Sequence, residues 1–280
     1  MVTCPICGGV SPRLFMSHDY WIRDCRICPH RFAEIAPVAN HVETTYDDHY
    51  FFGGGAGYQN YLVESQLLIE QGRRYGRLVA KHAGPGSVLD VGAAAGFLLE
   101  GYRQSGWRGA GIEPNPRLAE WARTNFTLPV TNGTLEDFRS EERFDLISII
   151  QVVAHFVDPL KALRAADAVT RPGGFWLIET WNFVSWTSRL FGRNWHEYSP
   201  PSVLHWFCPQ GLQRLAGEFG FREIARGRPA KWISGEHAKS LLTYKLGSGL
   251  ARGLAARVIP NRLSIPYPAE DLFWSLFQKR

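Results

Sequence analysis

The chain has 280 residues, 31 Lys and Arg against 26 Asp and Glu, and a net charge of +5; 45% of it is hydrophobic and 20% charged, the composition of an ordinary globular protein. No stretch approaches the ~18–20 unbroken apolar residues of a membrane span. The opening Met1-Val2-Thr3-Cys4-Pro5 has neither the basic nor the apolar region of a secretory signal, so a cytoplasmic location is expected.

Four of the five cysteines fall at the start, as Cys4-x2-Cys7 and Cys25-x2-Cys28 with 17 residues between the pairs. Two such knuckles match a four-thiolate Zn²⁺ site, in which each knuckle turns two sulfurs onto one ion. Gly8 suits the tight turn, and Tyr20-Trp21-Ile22 between the pairs reads as a strand, so the unit is expected to be a zinc ribbon. Disulfides are the competing reading, disfavoured in a reducing compartment. His18 and His30 are alternative ligands, made unnecessary by four cysteines. A closed four-Cys site has no open coordination position and so no catalytic role.

A segment rich in tyrosine follows, with Tyr46, Tyr50, Tyr58 and Tyr61 interrupted by Gly53-Gly54-Gly55. Residues 62–82 carry apolar positions at helical spacing, closed by Gly84-Pro85-Gly86. From Ser87 strands and helices alternate. The expected strands are Ser87–Val91, Arg108–Ile112, Phe144–Ile150, Phe175–Glu179, Phe221–Arg226 and Leu272–Gln278. The expected helices are Phe97–Ser105, Pro116–Thr124, Leu160–Val169 and Cys208–Phe219, and Pro172-Gly173-Gly174 reads as a turn. This alternation predicts a doubly wound α/β fold, with a mostly parallel sheet covered by helices on both faces.

Residues 229–271 form an insertion with an amphipathic helix expected over 236–258, where Leu241, Leu242, Leu246, Leu250, Leu254 and Val258 lie against Lys239, Lys245, Arg252 and Arg257. An interfacial helix and a helix packed on the domain or on a second copy share that pattern. Residues 222–280 carry 11 Lys and Arg against 4 Asp and Glu, while the rest of the chain is slightly acidic. Such a surplus fits an anionic substrate, a membrane surface or a solvated face. Its cations are scattered rather than interleaved with aromatics, which argues against nucleic acid.

The stretch Val88-Leu89-Asp90-Val91-Gly92-Ala93-Ala94-Ala95-Gly96-Phe97 puts an acid at the tip of the first strand, then a turn of small residues, then a helix. Small residues let a ligand approach the backbone, and the helix start adds N–H donors. A dinucleotide site would need G-x-G-x-x-G, and Asp90 would repel its pyrophosphate. A ligand bearing an ammonium or sulfonium suits that acid. Gly109-Ala110-Gly111-Ile112-Glu113-Pro114 then ends the second strand in a carboxylate able to accept ribose hydroxyls. Asn132-Gly133-Thr134-Leu135-Glu136-Asp137-Phe138 follows the third strand, and Gln151-Val152-Val153-Ala154-His155-Phe156 leaves the fourth.

These four ordered segments, spanning about residues 86–228, resemble class I S-adenosylmethionine (SAM)-dependent methyltransferases, with the ubiquinone-biosynthesis-type subgroup nearest. The resemblance implies a Rossmann-like, seven-stranded sheet. It implies that Asp90, Gly92, Ala93 and Gly96 surround the methionyl part, and that Glu113 with Pro114 holds the ribose. Thr134, Leu135 and Glu136 border the adenine, Gln151 lies on the sulfonium side, and Tyr58 and neighbouring tyrosines cover the cofactor. Two departures stand out: the family's central turn glycine is Ala94, and its usual Leu-Glu-His after strand four is Val153-Ala154-His155. The ribbon, the Tyr-rich segment and this core together are also similar to stand-alone relatives of deoxysugar C-methyltransferases.

The expected layout is therefore a zinc ribbon over residues 1–36, a Tyr-rich cap and helix over 37–82, and a SAM-binding domain over 83–280. His155 is a candidate base or a structural histidine bonded to a loop carbonyl. His196, with Glu197 as its orienting partner, is a second candidate base. Trp181, Trp186, Trp195 and Trp206 form either an acceptor-binding aromatic wall or ordinary packing, and Cys208 reads as a small buried hydrophobe. The expected activity is O- or C-methylation of a small-molecule acceptor, with a sugar or secondary metabolite favoured. A lipid-linked acceptor is the alternative within enzymes. A ribbon that binds a macromolecule beside a degenerate core is the alternative outside them, and the intact Asp90 and Glu113 argue against it.

Overall fold

The computed structural model describes residues 2–35, 40–53, 60–235, 260, 264–267 and 269–280. Tyr58 and the helix expected over 236–258 lie outside the described residues.

The first unit is an antiparallel hairpin pair, β1 (Arg13–Ser17), β2 (Tyr20–Asp24) and β3 (His30–Glu34). The β1–β2 turn places His18 and Asp19 at φ 47° and 64°, and such left-handed two-residue turns match the twist of the flanking strands. Two short helices follow, α1 (His41–Thr45) and α2 (Asp48–Phe52), the latter capped by the Asp47 carboxylate on the His49 and Tyr50 amides. A 3₁₀ turn at Tyr61–Glu64 leads into α3 (Ser65–Ala83), ended by Gly84 at φ 71°.

The central sheet has seven strands. They are β4 (Ser87–Val91), β5 (Arg108–Glu113), β6 (Val130–Asn132), β7 (Phe144–Ile150), β8 (Thr170–Trp181), β10 (Phe221–Gly227) and β13 (Leu272–Lys279), in the order β10-β13-β8-β7-β4-β5-β6. All neighbours are parallel except β13, which is antiparallel to both β8 and β10. The doubly wound, mostly parallel sheet expected from the strand–helix alternation is thus present. Helices α4 (Phe97–Gln104), α5 (Pro116–Phe126), α6 (Pro159–Val169) and α8 (Pro209–Gly217) connect its strands, and α7 (Trp186–Phe191) lies in the segment after β8.

Alternation along each strand divides the core between the two faces. Leu89, Ile147, Trp176 and Phe277 pack with residues of α6 and α8. Val88, Leu146, Leu177 and Leu276 pack with Tyr75, Leu99, Tyr102 and Trp107 on the opposite side. Covering both faces is why these strands read as continuous apolar runs.

Three features departed from the sequence reading. Pro172-Gly173-Gly174 lies inside β8, where the pairing with β7 jumps from Phe144↔Thr170 to Leu146↔Phe175 and Gly173 takes φ 73°. The expected turn is therefore a bulge within one strand. The insertion is bracketed by a two-stranded ladder, β11 (Lys231–Ser234) with β12 (Ser264–Tyr267). A short strand, β9 (His205–Phe207), pairs antiparallel with β3 and extends the ribbon sheet to β1-β2-β3-β9.

Helices α3 and α4 cross where each carries a glycine. A Cβ on Gly101 would lie 2.1 Å from the Ile69 carbonyl oxygen and 2.8 Å from the Gly72 Cα, both backbone atoms that cannot move aside. Gly101→Ala improves helix propensity by about 1 kcal/mol, yet overpacking costs about 1–3 kcal/mol. The expected outcome is a lowered urea midpoint with unchanged slope; a midpoint at or above that of the parent chain would contradict the close crossing.

Candidate functional site

The turn between β4 and α4 holds three left-handed residues: Gly92 at φ 68°, Ala94 at φ 46° and Gly96 at φ 78°. A Cβ at Gly92 would meet Val152 at 2.6 Å, so that glycine is required for space as well as conformation. Ala94 holds a conformation that costs a non-glycine residue about 1–2 kcal/mol. Its amide is fixed by a 2.7 Å bond to Glu113 Oε2, and the adjacent Ala93 amide donates to the Ile112 carbonyl at 2.9 Å. The missing central glycine is thus replaced by an alanine in the glycine's conformation.

Asp90 is buried, with Oδ1 accepting the Ser148 hydroxyl at 2.7 Å and Oδ2 without a hydrogen-bond partner. Burial pushes its carboxyl up to about 7, against the pull of the Ser148 bond. Glu113 ends β5 with Oε2 on the Ala94 amide and Oε1 on the Asn115 amide at 2.8 Å. Burial raises it to about 7 as well, and the two backbone bonds oppose the shift. Each of its oxygens keeps a further lone pair for a ligand.

Leu135 and Glu136 lie buried in a 3₁₀ turn with Thr134 at its start, and Glu136 Oε1 is unpartnered. Asn132, at the end of β6, spans to the carbonyls of Glu113 (2.9 Å) and Pro114 (2.8 Å) through its side-chain amide. The four sequence segments therefore meet at one edge of the sheet, beyond the carboxyl ends of β4, β5, β6 and β7, where α/β folds bind ligands.

Gln151, at φ 58°, is clamped twice by Glu179: its amide donates to the Glu179 carbonyl at 2.8 Å and its Nε2 to Glu179 Oε1 at 2.7 Å. The other carboxylate oxygen accepts from Tyr75 Oη and from Gln71 Nε2. Glu179 is fully buried, although from its sequence context it reads as an ordinary strand residue. The available signal is an acid near the end of β8, level with the end of β7 that leads into Gln151.

A second group lies against these residues. His155 closes a 3₁₀ turn after β7, with Nδ1 2.6 Å from the Ser202 carbonyl and 3.0 Å from Tyr46 Oη, which itself donates to Ser202 at 2.6 Å. A carbonyl only accepts, so Nδ1 carries the proton and Nε2 of the neutral ring keeps its lone pair. Burial lowers the pKa of His155, while the Ser202 and Gln151 carbonyls and the Glu197 charge pull it up. Tyr46 reaches the first group through its own carbonyl, which accepts the Asn115 side-chain amide at 3.2 Å.

His196 Nε2 lies 2.7 Å from Glu197 Oε1, the pairing expected of these neighbours. Asp271 is close to both and accepts Trp195 Nε1 at 2.9 Å. Burial, and secondarily the Glu197 charge, lifts the Tyr50 phenol to about 12. The Glu197 charge thus acts on both Tyr50 and His155. Of the four tryptophans, Trp195 and Trp206 are buried with Tyr198, Trp181 packs partly buried against the same cluster, and Trp186 is 70% exposed, an arrangement of ordinary packing. Cys208 is buried and caps α8 through a 3.4 Å contact from the Gly211 amide to its sulfur.

At the N-terminus the sulfurs of Cys4, Cys7, Cys25 and Cys28 all lie within 4.8 Å of one another, with closest pairs at 3.4–3.6 Å. A disulfide needs about 2.05 Å. A Zn²⁺ bound tetrahedrally at about 2.3 Å separates its sulfurs by about 3.8 Å, close to what is seen. The amides of Ile6 and Cys28, each at 3.4 Å, point at the Cys4 and Cys25 sulfurs. These residues fit a metal of that kind. His18 sits exposed at a hairpin turn, whereas His30 is buried with Nδ1 3.4 Å from Cys4 Sγ, outside the four-sulfur cluster.

Among the described residues no helix is long and apolar enough to cross a membrane. Residues 66–225 match a family model described as a methyltransferase domain. A ubiquinone biosynthesis O-methyltransferase of Cereibacter sphaeroides is 32% identical over 161 residues, covering 52% of this chain and 65% of that one. One of Bradyrhizobium sp. is 28% identical over 194 residues, covering 68% of this chain and 65% of that one. The chain thus spans just under two thirds of the length of these curated relatives. The crystal structure of 1,6-didemethyltoxoflavin-N1-methyltransferase from Burkholderia thailandensis superposes with a TM-score of 0.55 at 14% identity, over 95% of this chain and 98% of that one. A SAM-dependent methyltransferase from Thermotoga maritima gives 0.51 at 16% identity, over 79% and 93%. With the family model matching more than half of its residues and these two structures superposing over most of its length, the chain belongs to the methyltransferase-domain family and has the class I fold.

Proposed function

We propose that this protein is a SAM-dependent methyltransferase acting on a small-molecule acceptor, with a structural Zn²⁺ held by Cys4, Cys7, Cys25 and Cys28. The observation that carries the reading is Asp90: a buried carboxylate with one oxygen unpartnered, beside Glu113 at the ends of adjacent strands. An unpartnered buried carboxylate oxygen is costly unless a ligand group fills the place. A cation answers it and a pyrophosphate does not. Asp90, Gly92, Ala93 and Gly96 then surround the methionyl end, Glu113 and Pro114 the ribose, Thr134, Leu135 and Glu136 the adenine, and Gln151 the sulfonium side.

SAM supplies an electrophilic methyl group when bound. The chain's own work is to hold the acceptor in line with it and to remove a proton from a hydroxyl or carbon acid. His155 fits the second task, because the Ser202 carbonyl fixes its Nδ1 proton and leaves Nε2 as a base. Tyr46 and Tyr50 close the space around it, and Glu197 contributes the charge that favours its protonated form. His196, bonded to Glu197, is the second candidate for the base. The curated relatives are named O-methyltransferases, which favours a hydroxyl acceptor. An anionic or lipid-linked acceptor is the finer reading that the basic C-terminal part supports.

Calorimetry with S-adenosylhomocysteine tests the assignment; a folded, zinc-loaded sample that binds none of it would refute it. Glu113→Ala removes hydrogen bonds to a charged group worth about 1.5–3 kcal/mol each, so affinity is expected to fall at least tenfold. Circular dichroism on the same sample checks that the fold persists.

The two raised carboxyls also set a pH dependence. A cationic ligand needs them ionised, so its binding releases protons below about pH 7, and affinity rises between pH 6 and 8 before levelling. In the free chain, the folded state holds protons that the unfolded state has already lost between about pH 4 and 7. These groups therefore contribute stability at low pH that is lost as pH rises through 7. Titrations in buffers of different ionisation enthalpy measure the proton release, and a pH-independent affinity would contradict it.

One zinc per chain is expected by atomic absorption. Cys4→Ser combined with Cys28→Ser should abolish it and lower the melting temperature; retention of full metal content would exclude the four-thiolate site.

A further inference from the structure

The strand β9 is three residues long, yet three parts of the molecule meet on it. Phe32 pairs with His205 on the ribbon side, and Phe207 bridges to Asn182 just past the end of β8. Next to it, the Leu204 amide donates to the Ala154 carbonyl at 2.8 Å, and the Leu204 carbonyl accepts the Ala33 amide at 2.9 Å. The ribbon is thus joined by backbone hydrogen bonds to the turn that carries His155.

Side chains repeat the connection. The Phe156 carbonyl can only accept, so His205 donates to it from Nε2 at 2.9 Å. In the neutral ring this leaves Nδ1 as the acceptor, and His30 Nε2 lies 3.2 Å from it as the donor. The other nitrogen of His30 lies against Cys4 Sγ. All four ring nitrogens are engaged, in side chains only 2% and 4% exposed. A buried imidazole nitrogen left unpaired costs about 1–3 kcal/mol, so packing alone would be served better by two phenylalanines. The path ends one residue beyond His155. A second arm leaves the same ribbon: Arg31 donates to Tyr198 Oη and Ser17 to the Tyr198 carbonyl, both at 2.7 Å, one residue beyond Glu197.

We propose that the ribbon is a positioning element of the acceptor site, in which His30 and His205 carry the geometry fixed by the four cysteines to the His155 turn, while Arg31 and Ser17 do the same for the Glu197 loop. The naming of these two loops as the acceptor site rests on the methyltransferase reading; the hydrogen-bonded path does not. His30, His205, Arg31 and Ser17 act through other residues and touch no reacting atom.

The test is amide hydrogen exchange on the full, zinc-loaded chain, with zinc content and S-adenosylhomocysteine affinity measured on each sample. His205→Phe keeps a buried ring and removes both side-chain hydrogen bonds. Exchange across residues 154–157 is expected to accelerate about tenfold, the effect of one lost bond on local opening, while β4, β5 and β7 and the zinc content stay as in the parent. His205→Gln, which offers an amide N–H to the Phe156 carbonyl, should restore slow exchange where Phe does not. Parent-like exchange across 154–157 in both variants would overturn the proposal, as would equal acceleration in both. If His205→Phe does not fold, Arg31→Met decides: faster exchange confined to 196–199 supports the positioning role, and no local change refutes it. Failure of S-adenosylhomocysteine to bind even the parent would remove the methyltransferase reading and leave this readout intact.

Discussion

The hydrogen bond from the Ala94 amide to the Glu113 carboxylate joins the ends of β4 and β5 where the chain passes through three left-handed residues in five positions. Without it, Ala94 would have little reason to hold φ 46°, and the turn that follows Asp90 would lose its shape. The same carboxylate accepts the Asn115 amide, and Asn115 caps α5 through its side chain while bonding the Tyr46 carbonyl. One buried acid therefore fixes the turn after β4, the start of α5 and the approach of the segment between α1 and α2. Its cost is burial of charge, which its raised pKa registers.

The strands were legible because burial on both faces leaves continuous apolar runs such as Phe144–Ile150, and turns such as Gly84-Pro85-Gly86 punctuate them. The cysteine spacing and the acids at strand ends were legible for a similar reason: each is a local pattern with a local cause. What escaped was made by long-range pairing. β9 has only three residues and no periodicity of its own, and it is a strand because β3 offers it an edge. Glu179 reads as an ordinary strand residue until α3 brings Tyr75 and Gln71 against it. His30 reads as a spare ligand, and its partner His205 is 175 residues away. The bulge in β8 was hidden because Pro-Gly-Gly signals a turn with equal force whether the strand stops or only buckles.

The ribbon and the sheet are two cores in one structure. Cys4, Cys25, Cys28 and Phe32 make a small cluster of their own, below the size at which an apolar core usually suffices by itself. Ile22 and Ala33 instead pack with Trp195, Tyr198 and Trp206 from the segment after β8. The hairpin thus turns one face to its cysteines and lends the other to the neighbouring unit. Tyr198 shows the consequence: its ring is held among Phe15, Trp195 and Trp206, and its hydroxyl is reached by Arg31.

The β11–β12 ladder holds the two ends of the insertion side by side, from Lys231↔Tyr267 to Ser234↔Ser264. A loop closed at its base in this way adds little further entropy when it lengthens, about 0.6 kcal/mol for each doubling. The ladder therefore works as a fixed socket: it sets the separation at which the chain leaves β10 and returns to β13, so a change in the number of residues between Ser234 and Ser264 is expected to leave both strands in place.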